Sequence, residues 1–250
     1  MTIGALRSPD FFVPHNSPMQ ITIASRFCGP KTSGNGGYTC GVVANLLGGV
    51  AEVTLRAPPP LDTPLQAQIE NSHAKLTHNG TLIAEGAATE LEVQAPKAPS
   101  WGETLAAQER FPGLKHHDFP YCFTCGTARK HGDGLLVQTG QVDGTEIFAS
   151  TWIPDDSLAG ADGFVKPEFL WAATDCPGAW ATNSRQSNPS LLGRFAARFT
   201  RKLKAGERCV VIGWPIGHDG RKHHAGTALF TAGGELVGAG RQTWIEIRRP

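Results

Sequence analysis

The sequence has little charge of either sign. Of its 250 residues, 18% are Asp, Glu, Lys or Arg, and the formal net charge is +1. Proteins that bind nucleic acid or anionic membranes usually carry a basic excess, because phosphate groups attract Lys and Arg. The composition therefore argues against nucleic-acid and membrane partners and predicts that the partner is a small molecule.

Long apolar runs and a disulfide pattern are lacking too. No stretch of 18 apolar residues occurs, so no membrane-spanning helix is predicted. The first residues, MTIGALRSPDFF, do not follow the basic, apolar, small-residue order of a secretory signal. Six cysteines are too few and too scattered for a disulfide scaffold in a chain of this length, which predicts free thiols. Together these features predict a cytoplasmic protein.

The glycine motifs of nucleotide-binding proteins are also missing. A dinucleotide fingerprint that includes Gly34 and Gly36 would need a third glycine at position 39, where the sequence has Thr39. The Gly-Lys-Ser/Thr end of a phosphate-binding loop does not occur. Nucleotide binding is therefore disfavoured.

Residues 33–50, SGNGGYTCGVVANLLGGV, form the most informative stretch that is present. Apolar side chains recur in it at every fourth position, which predicts a largely buried helix. Asn35, Gly36 and Gly37 stand at its start, where free backbone N–H groups and the positive end of the helix dipole can bind an oxyanion. The alternative, that these glycines only let the helix begin tightly against a strand, stays open. Asn45 is polar in the middle of the run and needs a partner if it is buried.

Strand-like patterns follow this helix and recur in the second half of the chain. In the first half they cover residues 20–27, 51–56, 65–69 and 81–93. A Pro-containing connection with a short amphipathic piece at 101–110 comes next. In the second half we predict a helix over 166–182 and strands over 135–138, 145–153, 193–204, 207–214, 225–231 and 235–247.

The two halves resemble each other in sequence. Residues 78–93, HNGTLIAEGAATELEV, align with residues 232–247, AGGELVGAGRQTWIEI. An internal repeat is the simplest explanation. We therefore divide the chain into an N-terminal unit (1–100), a connection (101–134) and a C-terminal unit (135–250).

The two helix-like segments, NGGYTCGVVANLL and FLWAATDCPGAWA, together with the repeated strand, resemble the hotdog fold. The segment PYCFTCGTARKHGDGL resembles the Cys-rich lead-in before the hotdog domain of some thioesterase-like proteins. The resemblance implies an α+β protein of two tandem hotdog folds, each an antiparallel sheet wrapped around one long central helix. It also implies a protein similar to acyl-CoA thioesterases, with a small-molecule acyl thioester as partner, no cofactor beyond the coenzyme A of the substrate, and a homodimer of such chains.

The resemblance also implies site residues. In such proteins the two helices pack antiparallel, helix N-terminal amides polarise the thioester carbonyl, and an acidic residue of the partner helix acts on water. Gly36 and Gly37 match the helix-start glycines, Asp175 matches the acid, and Asn45 is the first-unit counterpart of Asp175. The second helix begins at Lys166-Pro167-Glu168, and proline has no N–H to offer. One complete site and one degenerate site are therefore expected.

Further residues join this predicted site. Glu168, two turns before Asp175, could orient water, and we assign substrate binding to Asn35, Tyr38 and Asn45 on the first helix. Arg221 and Lys222, at a predicted hairpin turn, could bind the phosphates of coenzyme A. The alternative for Asp175 is that it caps a helix broken by Pro177.

Cys122-x-x-Cys125-Gly has the spacing of a metal-binding pair, with His116, His117 and His131 nearby. A structural zinc site needs four ligands, and the sequence shows no second Cys-x-x-Cys or His pair to supply them. Zinc, a redox pair and a plain turn stay open, and no metal ligand is assigned.

Acyl-CoA thioester hydrolysis is the leading functional prediction. A hotdog dehydratase or hydratase is an alternative, although such enzymes usually have a catalytic His near the helix and neither helix here contains one. A non-catalytic acyl-CoA or lipid-binding hotdog protein is the alternative from another class.

Overall fold

A computed structural model describes residues 19–183 and 188–247. Residues 1–12, in which no secretory signal is predicted, lie outside this part of the chain. The described residues form one antiparallel sheet with strand order β1-β3-β4-β5-β2-β8-β11-β10-β9-β7-β6. The strands are β1 Met19–Thr22, β2 Ala51–Leu55, β3 Pro64–Glu70, β4 His73–His78, β5 Thr81–Ala88, β6 Gly140–Gln141, β7 Phe148–Trp152, β8 Ser190–Phe199, β9 Cys209–Asp219, β10 Lys222–Thr231 and β11 Leu236–Glu246.

The sheet has two halves that meet at the β2–β8 pair. The pairing is antiparallel, with Ala51 opposite Ala197 and Thr54 opposite Arg194. The first half runs β1-β3-β4-β5-β2, and the second half repeats this order as β7-β9-β10-β11-β8. Corresponding strands of the two halves thus occupy corresponding places on either side of the central pair.

The described helices are α1 Gly36–Leu46, α2 Trp101–Gln108, α3 Pro167–Ala173 and α4 Cys176–Asn183. Helices α1 and α3 pack against each other in opposite directions, with the start of α1 beside the end of α3. Two glycines allow the close approach: a Cβ at Gly37 would lie 2.5 Å from the Asp175 Cβ, and a Cβ at Gly41 would lie 2.6 Å from the Glu168 Cα. Helices α1 and α3 therefore meet along a close contact, called the α1–α3 seam, that a residue larger than glycine at position 37 or 41 would prevent. No helix of the described ranges is both long and apolar enough to cross a bilayer.

Several sequence predictions need correction. The helix predicted over 166–182 is two helices, because Thr174 ends α3 and α4 begins at Cys176. Pro177 explains the break, since it has no N–H to donate to the carbonyl four residues earlier. The strand predicted over 135–138 is an irregular segment: Leu136 has φ +53°, and Leu135 and Val137 donate their N–H groups to Phe123 and Thr124 of the lead-in, outside the sheet.

The strand predicted over 20–27 is also shorter than expected. Strand β1 ends at Thr22, and Ser25–Phe27 form a short 3-10 turn. The Phe27 ring stacks on the Tyr38 ring of α1, with centroids 4.4 Å apart. Beyond Thr22 the chain thus leaves the sheet, and the turn places the Phe27 ring against α1.

Replacing Gly41 by alanine tests the α1–α3 packing. The added Cβ would meet backbone and side-chain atoms of Glu168 and Trp171. We expect G41A to lower the free energy of unfolding by about 1–3 kcal/mol, the usual cost of overpacking. Chemical denaturation of both proteins measures the effect. In the matched control G102A, the new methyl group on α2 meets no atom within 4 Å outside its own helix backbone and chain neighbours. We expect unchanged or higher stability because alanine favours a helix over glycine.

Candidate active site

The site begins with Asn35, the residue that caps α1. Its Oδ1 accepts the N–H of Tyr38 at 2.8 Å, as an N-cap side chain does. Because Oδ1 is used in this way, the Nδ2 group is free to donate elsewhere, and it donates to Oδ2 of Asp175 at 2.8 Å. One buried amide thus joins the start of α1 to the turn between α3 and α4.

Asp175 lies in that turn with only 2% of its surface exposed. Its carboxyl group points to the first turn of α1: Oδ2 accepts from Asn35, and the backbone N–H of Gly37 faces the same group. The other oxygen, Oδ1, has no well-formed hydrogen bond to any described residue. The Asp175 side chain therefore contacts α1. The alternative prediction was that it caps the helix in which it lies.

The surroundings change the acidity of Asp175. Burial raises the pKa of its carboxyl group to about 7, and the nearby Cys122 sulfur adds to the rise. The Gly37 N–H and the Asn35 amide act in the opposite direction, because they stabilise the charged form. At neutral pH this carboxyl group therefore exists in both its protonated and its charged form.

Two residues that the sequence did not single out hold the Asp175 turn. Thr124 donates its hydroxyl to the Ala172 carbonyl at 2.8 Å. Gln242 of β11, which is buried, donates Nε2 to the Thr174 carbonyl at 2.8 Å. Sequence reasoning missed both because a lone Thr or Gln in a loop or strand gives no local signal of a long-range contact.

A cavity of about 250 Å³ opens beside the start of α1. Its wall includes Gly36, the Pro58–Pro59 loop and the ends of β8 and β11. Most of its lining is apolar: Pro30, Leu55, Ala57, Pro58, Pro59, Leu191, Leu192, Ile245 and Ile247 belong to it, together with polar Ser33 and Arg56 and with Gly34, Gly36 and Gly193. The cavity has room for a small apolar group next to the first N–H groups of the helix.

The opposite end of the α1–α3 seam is built differently. Asn45 is exposed there and donates Nδ2 to Oε2 of Glu168 at 2.8 Å. Helix α3 starts at Pro167, and Lys166 before it makes no side-chain cap. The predicted residues Asn45 and Glu168 thus meet each other at the surface, whereas Asn35, Gly37 and Asp175 meet in the interior.

Tyr38 lies between these two ends and is buried among aromatic rings. Its ring lies 4.4 Å from that of Phe27 and 5.7 Å from that of Phe169, centroid to centroid. Burial raises the pKa of Tyr38 to about 12, and the Glu168 charge adds to the rise. The phenol therefore stays protonated.

Arg221 and Lys222 lie at the surface in the hairpin between β9 and β10. Arg221 donates to the Glu246 carbonyl at the end of β11, at 3.0 Å. Their predicted contact with coenzyme A phosphates stays a prediction.

Within the described chain, one group of residues could hold a metal ion: the Cys122-x-x-Cys125 pair and Cys176. Cys176 is 51 residues from Cys125, so the spacing of the cysteines in the sequence did not predict that Cys176 joins this pair. All six cysteines are free thiols, as their scatter predicted, and all six are buried.

No protein-family model matches the chain, and no curated protein matches it in sequence. Solved structures do match. A hotdog-fold protein of unknown function from Alicyclobacillus acidocaldarius has a TM-score of 0.62 at 11% identity, over 94% of this chain and 95% of that one. A protein described as a thioesterase II from Thermobifida fusca has a TM-score of 0.61 at 15% identity, over 92% of both chains.

A third match is a protein from Novosphingobium aromaticivorans that is also described as a thioesterase. Its TM-score is 0.58 at 14% identity, over 92% of this chain and 95% of that one. Likeness at such low identity establishes the fold. The chain has the hotdog fold, so the resemblance predicted from its sequence is confirmed at that level.

Proposed function

We propose that this hotdog-fold chain is an acyl-CoA thioesterase whose active site lies where Asp175 meets the start of α1. The observation that carries the proposal is the state of the Asp175 carboxyl group. It is buried, Asn35 fixes one oxygen, and the other oxygen has no well-formed hydrogen bond within the described residues. Buried polar atoms are nearly always paired, so an unpaired carboxyl oxygen beside a helix start suggests a functional role.

The first turn of α1 supplies the electrophilic half of the proposed site. A helix start has four N–H groups without helical partners. In α1 these belong to Asn35, Gly36, Gly37 and Tyr38: the Asn35 N–H donates to the Phe27 carbonyl, and the Tyr38 N–H donates to the Asn35 side chain. The N–H of Gly36 remains, the N–H of Gly37 faces the Asp175 carboxyl group, and neither glycine has a side chain to block a thioester. We infer that these N–H groups hold the carbonyl oxygen as negative charge develops on it.

The proposed reaction uses one water molecule. Asp175 Oδ1 takes a proton from the water as the water oxygen attacks the thioester carbon, and the carbonyl oxygen becomes an oxyanion near Gly36 and Gly37. When the intermediate collapses, the carbon–sulfur bond breaks and the proton passes from Asp175 to the leaving sulfur. The products are a carboxylic acid and free coenzyme A. Direct attack by Oδ1 to give an anhydride, which water then hydrolyses, would use the same oxygen.

The repeated strand order supports a division into two tandem hotdog units. In each half, a helix precedes the strand that enters the central β2–β8 pair: α1 comes before β2, and α3 and α4 come before β8. The boundaries 1–100, 101–134 and 135–250 follow from the sequence repeat. In this arrangement each end of the α1–α3 seam corresponds to one site.

The two ends are not equivalent, so one site is proposed to be active. The interior end joins Asp175 to Asn35 and Gly37, with Gly36 as the neighbouring residue of α1. The other end offers Asn45 in place of an acid and Pro167 in place of an N–H donor, and its Asn45 side chain is exposed. Loss of one preorganised donor typically costs about 3–4 kcal/mol of transition-state stabilisation, enough to silence that end.

Release of free thiol from a panel of acyl-CoAs that differ in chain length tests the function. We expect the chain to release thiol from at least one member. Tight binding without turnover of any member would favour the acyl-CoA-binding alternative. Addition or loss of water on the acyl chain with the thioester intact would favour a hydratase or dehydratase. The cytoplasmic location, the homodimer and the Arg221–Lys222 phosphate site stay predictions.

A further inference from the structure

Three buried thiols from distant parts of the chain meet next to the proposed active site. Cys122 and Cys125 come from the lead-in, and Cys176 is the first residue of α4. Their sulfur atoms all lie within 4.8 Å of one another, and the Cys122 and Cys176 sulfurs are 3.5 Å apart. The proposed thioesterase reaction uses none of them.

The local backbone is shaped to present the first two sulfurs. The N–H groups of Thr124 and Cys125 face the Cys122 sulfur, and the Gly126 N–H donates to the Cys122 carbonyl at 2.8 Å. A Cβ at Gly126 would lie 2.5 Å from the carbonyl oxygens of Cys122 and Pro120. Only glycine therefore fits at the end of this Cys-x-x-Cys-Gly turn. N–H groups directed at sulfur favour a thiolate, which is the form that binds metals.

His117 supports the same cluster from the side. Its Nδ1 accepts the Phe119 N–H at 3.0 Å, so the ring proton belongs on Nε2, which lies 3.3 Å from the Cys125 sulfur. Asn35 adds a weaker contact, with Nδ2 at 3.8 Å from the Cys122 sulfur. N–H donors thus surround at least two of the three sulfurs.

The sulfur spacing matches the size of a zinc ion. With a zinc–sulfur distance of about 2.3 Å, tetrahedral geometry places two sulfur ligands roughly 3.8 Å apart. The Cys122–Cys176 sulfur distance of 3.5 Å is close to this value, and no pair of the three sulfurs is more than 4.8 Å apart. A cavity of about 70 Å³ borders His117 and all three cysteines, which leaves room for a fourth ligand.

We propose that Cys122, Cys125 and Cys176 bind one zinc ion as thiolates, with the fourth coordination position directed at this cavity. Three thiols release three protons when they bind the ion, and no electrons are transferred. The Nε2–H of His117 hydrogen-bonds the Cys125 thiolate and acts as a positioning residue. The ion would fasten the first residue of α4 to the lead-in, and Asp175 immediately precedes that residue.

Metal analysis of the full chain, purified under reducing conditions, tests this site. We expect one zinc per chain, and after its removal we expect cobalt to give the near-ultraviolet absorption of sulfur-to-metal charge transfer. C122S and C176S should each lose the ion. The matched control C209S removes a buried thiol of β9 from outside the cluster and should keep it.

His117→Ala tests whether His117 positions the Cys125 thiolate or is itself a zinc ligand. This test does not depend on the folding of a cysteine variant. Loss of an outer-shell partner typically weakens metal affinity about 10- to 100-fold. We expect H117A to bind one zinc per chain with affinity reduced by that factor in competition with a chromophoric chelator. Wild-type protein that binds neither zinc nor cobalt after full reduction would overturn the proposal. Equal loss of metal in C209S, or copper or iron in place of zinc, would overturn it too.

Discussion

Asp175→Asn is expected to lower the rate of thioester hydrolysis by at least about 100-fold, because a positioned general base contributes roughly 10²- to 10⁴-fold. Asparagine has nearly the same size and can still accept from the Asn35 amide through its side-chain oxygen. It cannot take a proton from water or attack as a carboxylate. Steady-state thiol release with the best acyl-CoA of the panel measures the loss, and circular dichroism verifies that the variant is folded.

Asn45→Ala is the matched comparison at the other end of the α1–α3 seam. It removes the hydrogen bond to Glu168 at the surface and leaves the interior contacts of Asp175 unchanged. We expect N45A to keep a substantial part of the wild-type rate. If D175N and N45A retained comparable activity, the difference between the two ends would be rejected.

Gly37→Ala is expected to produce the second large effect. The new Cβ would lie 2.5 Å from the Asp175 Cβ and 2.7 Å from the Trp171 carbonyl oxygen, so α1 and the Asp175 turn must move apart. That movement separates the two halves of the proposed site. Alanine keeps the backbone N–H but shifts it away from the oxyanion. Loss of one oxyanion donor typically lowers kcat by about 10²- to 10³-fold, and we expect G37A to fall in this range.

The control for G37A is G41A, one turn further along the same face of α1. Both substitutions overpack the seam, so both should lower stability by about 1–3 kcal/mol. Only Gly37 adjoins Asp175; Gly41 adjoins Glu168 and Trp171. G41A should therefore keep far more activity than G37A at a temperature where both are folded. Equal activity losses would attribute the effect to packing alone.

Much of the fold could be predicted from local patterns. The apolar spacing in residues 33–50 predicted α1, which the structure places at Gly36–Leu46. Period-two patterns and turn residues predicted most strands of the second half, β8 to β11, to within a few residues. These elements form because particular side chains must be buried. The spacing of apolar residues along the chain shows which side chains those are.

The remaining features depend on contacts between distant residues. The sequence contains Pro177, but it did not show that the helix is interrupted two residues earlier. In the structure α3 is capped by Thr174 and α4 begins at Cys176. Residues 135–138 look like a strand, yet they pair with the lead-in because Leu136 adopts a positive φ. Local propensity is a weak guide where tertiary contacts compete with it.

The candidate site shows the same division. A resemblance assigned Gly36, Gly37 and Asp175 places in paired helices, and the structure places Gly37 directly against Asp175; their catalytic roles stay predictions. Thr124 and Gln242 were missed, since each acts through one backbone carbonyl that lies far away in the chain. Cys176 was missed as a partner of Cys122 for the same reason.

Hydrolysis of the best acyl-CoA in water enriched in oxygen-18 tests the central claim most directly, with mass spectrometry of both products. The account predicts equal amounts of free coenzyme A and carboxylic acid, with one solvent oxygen incorporated in each acid molecule. It also predicts that D175N forms neither product at a comparable rate. Recovery of the intact thioester from the wild-type reaction, unlabelled or with water added to its acyl chain, would contradict the account.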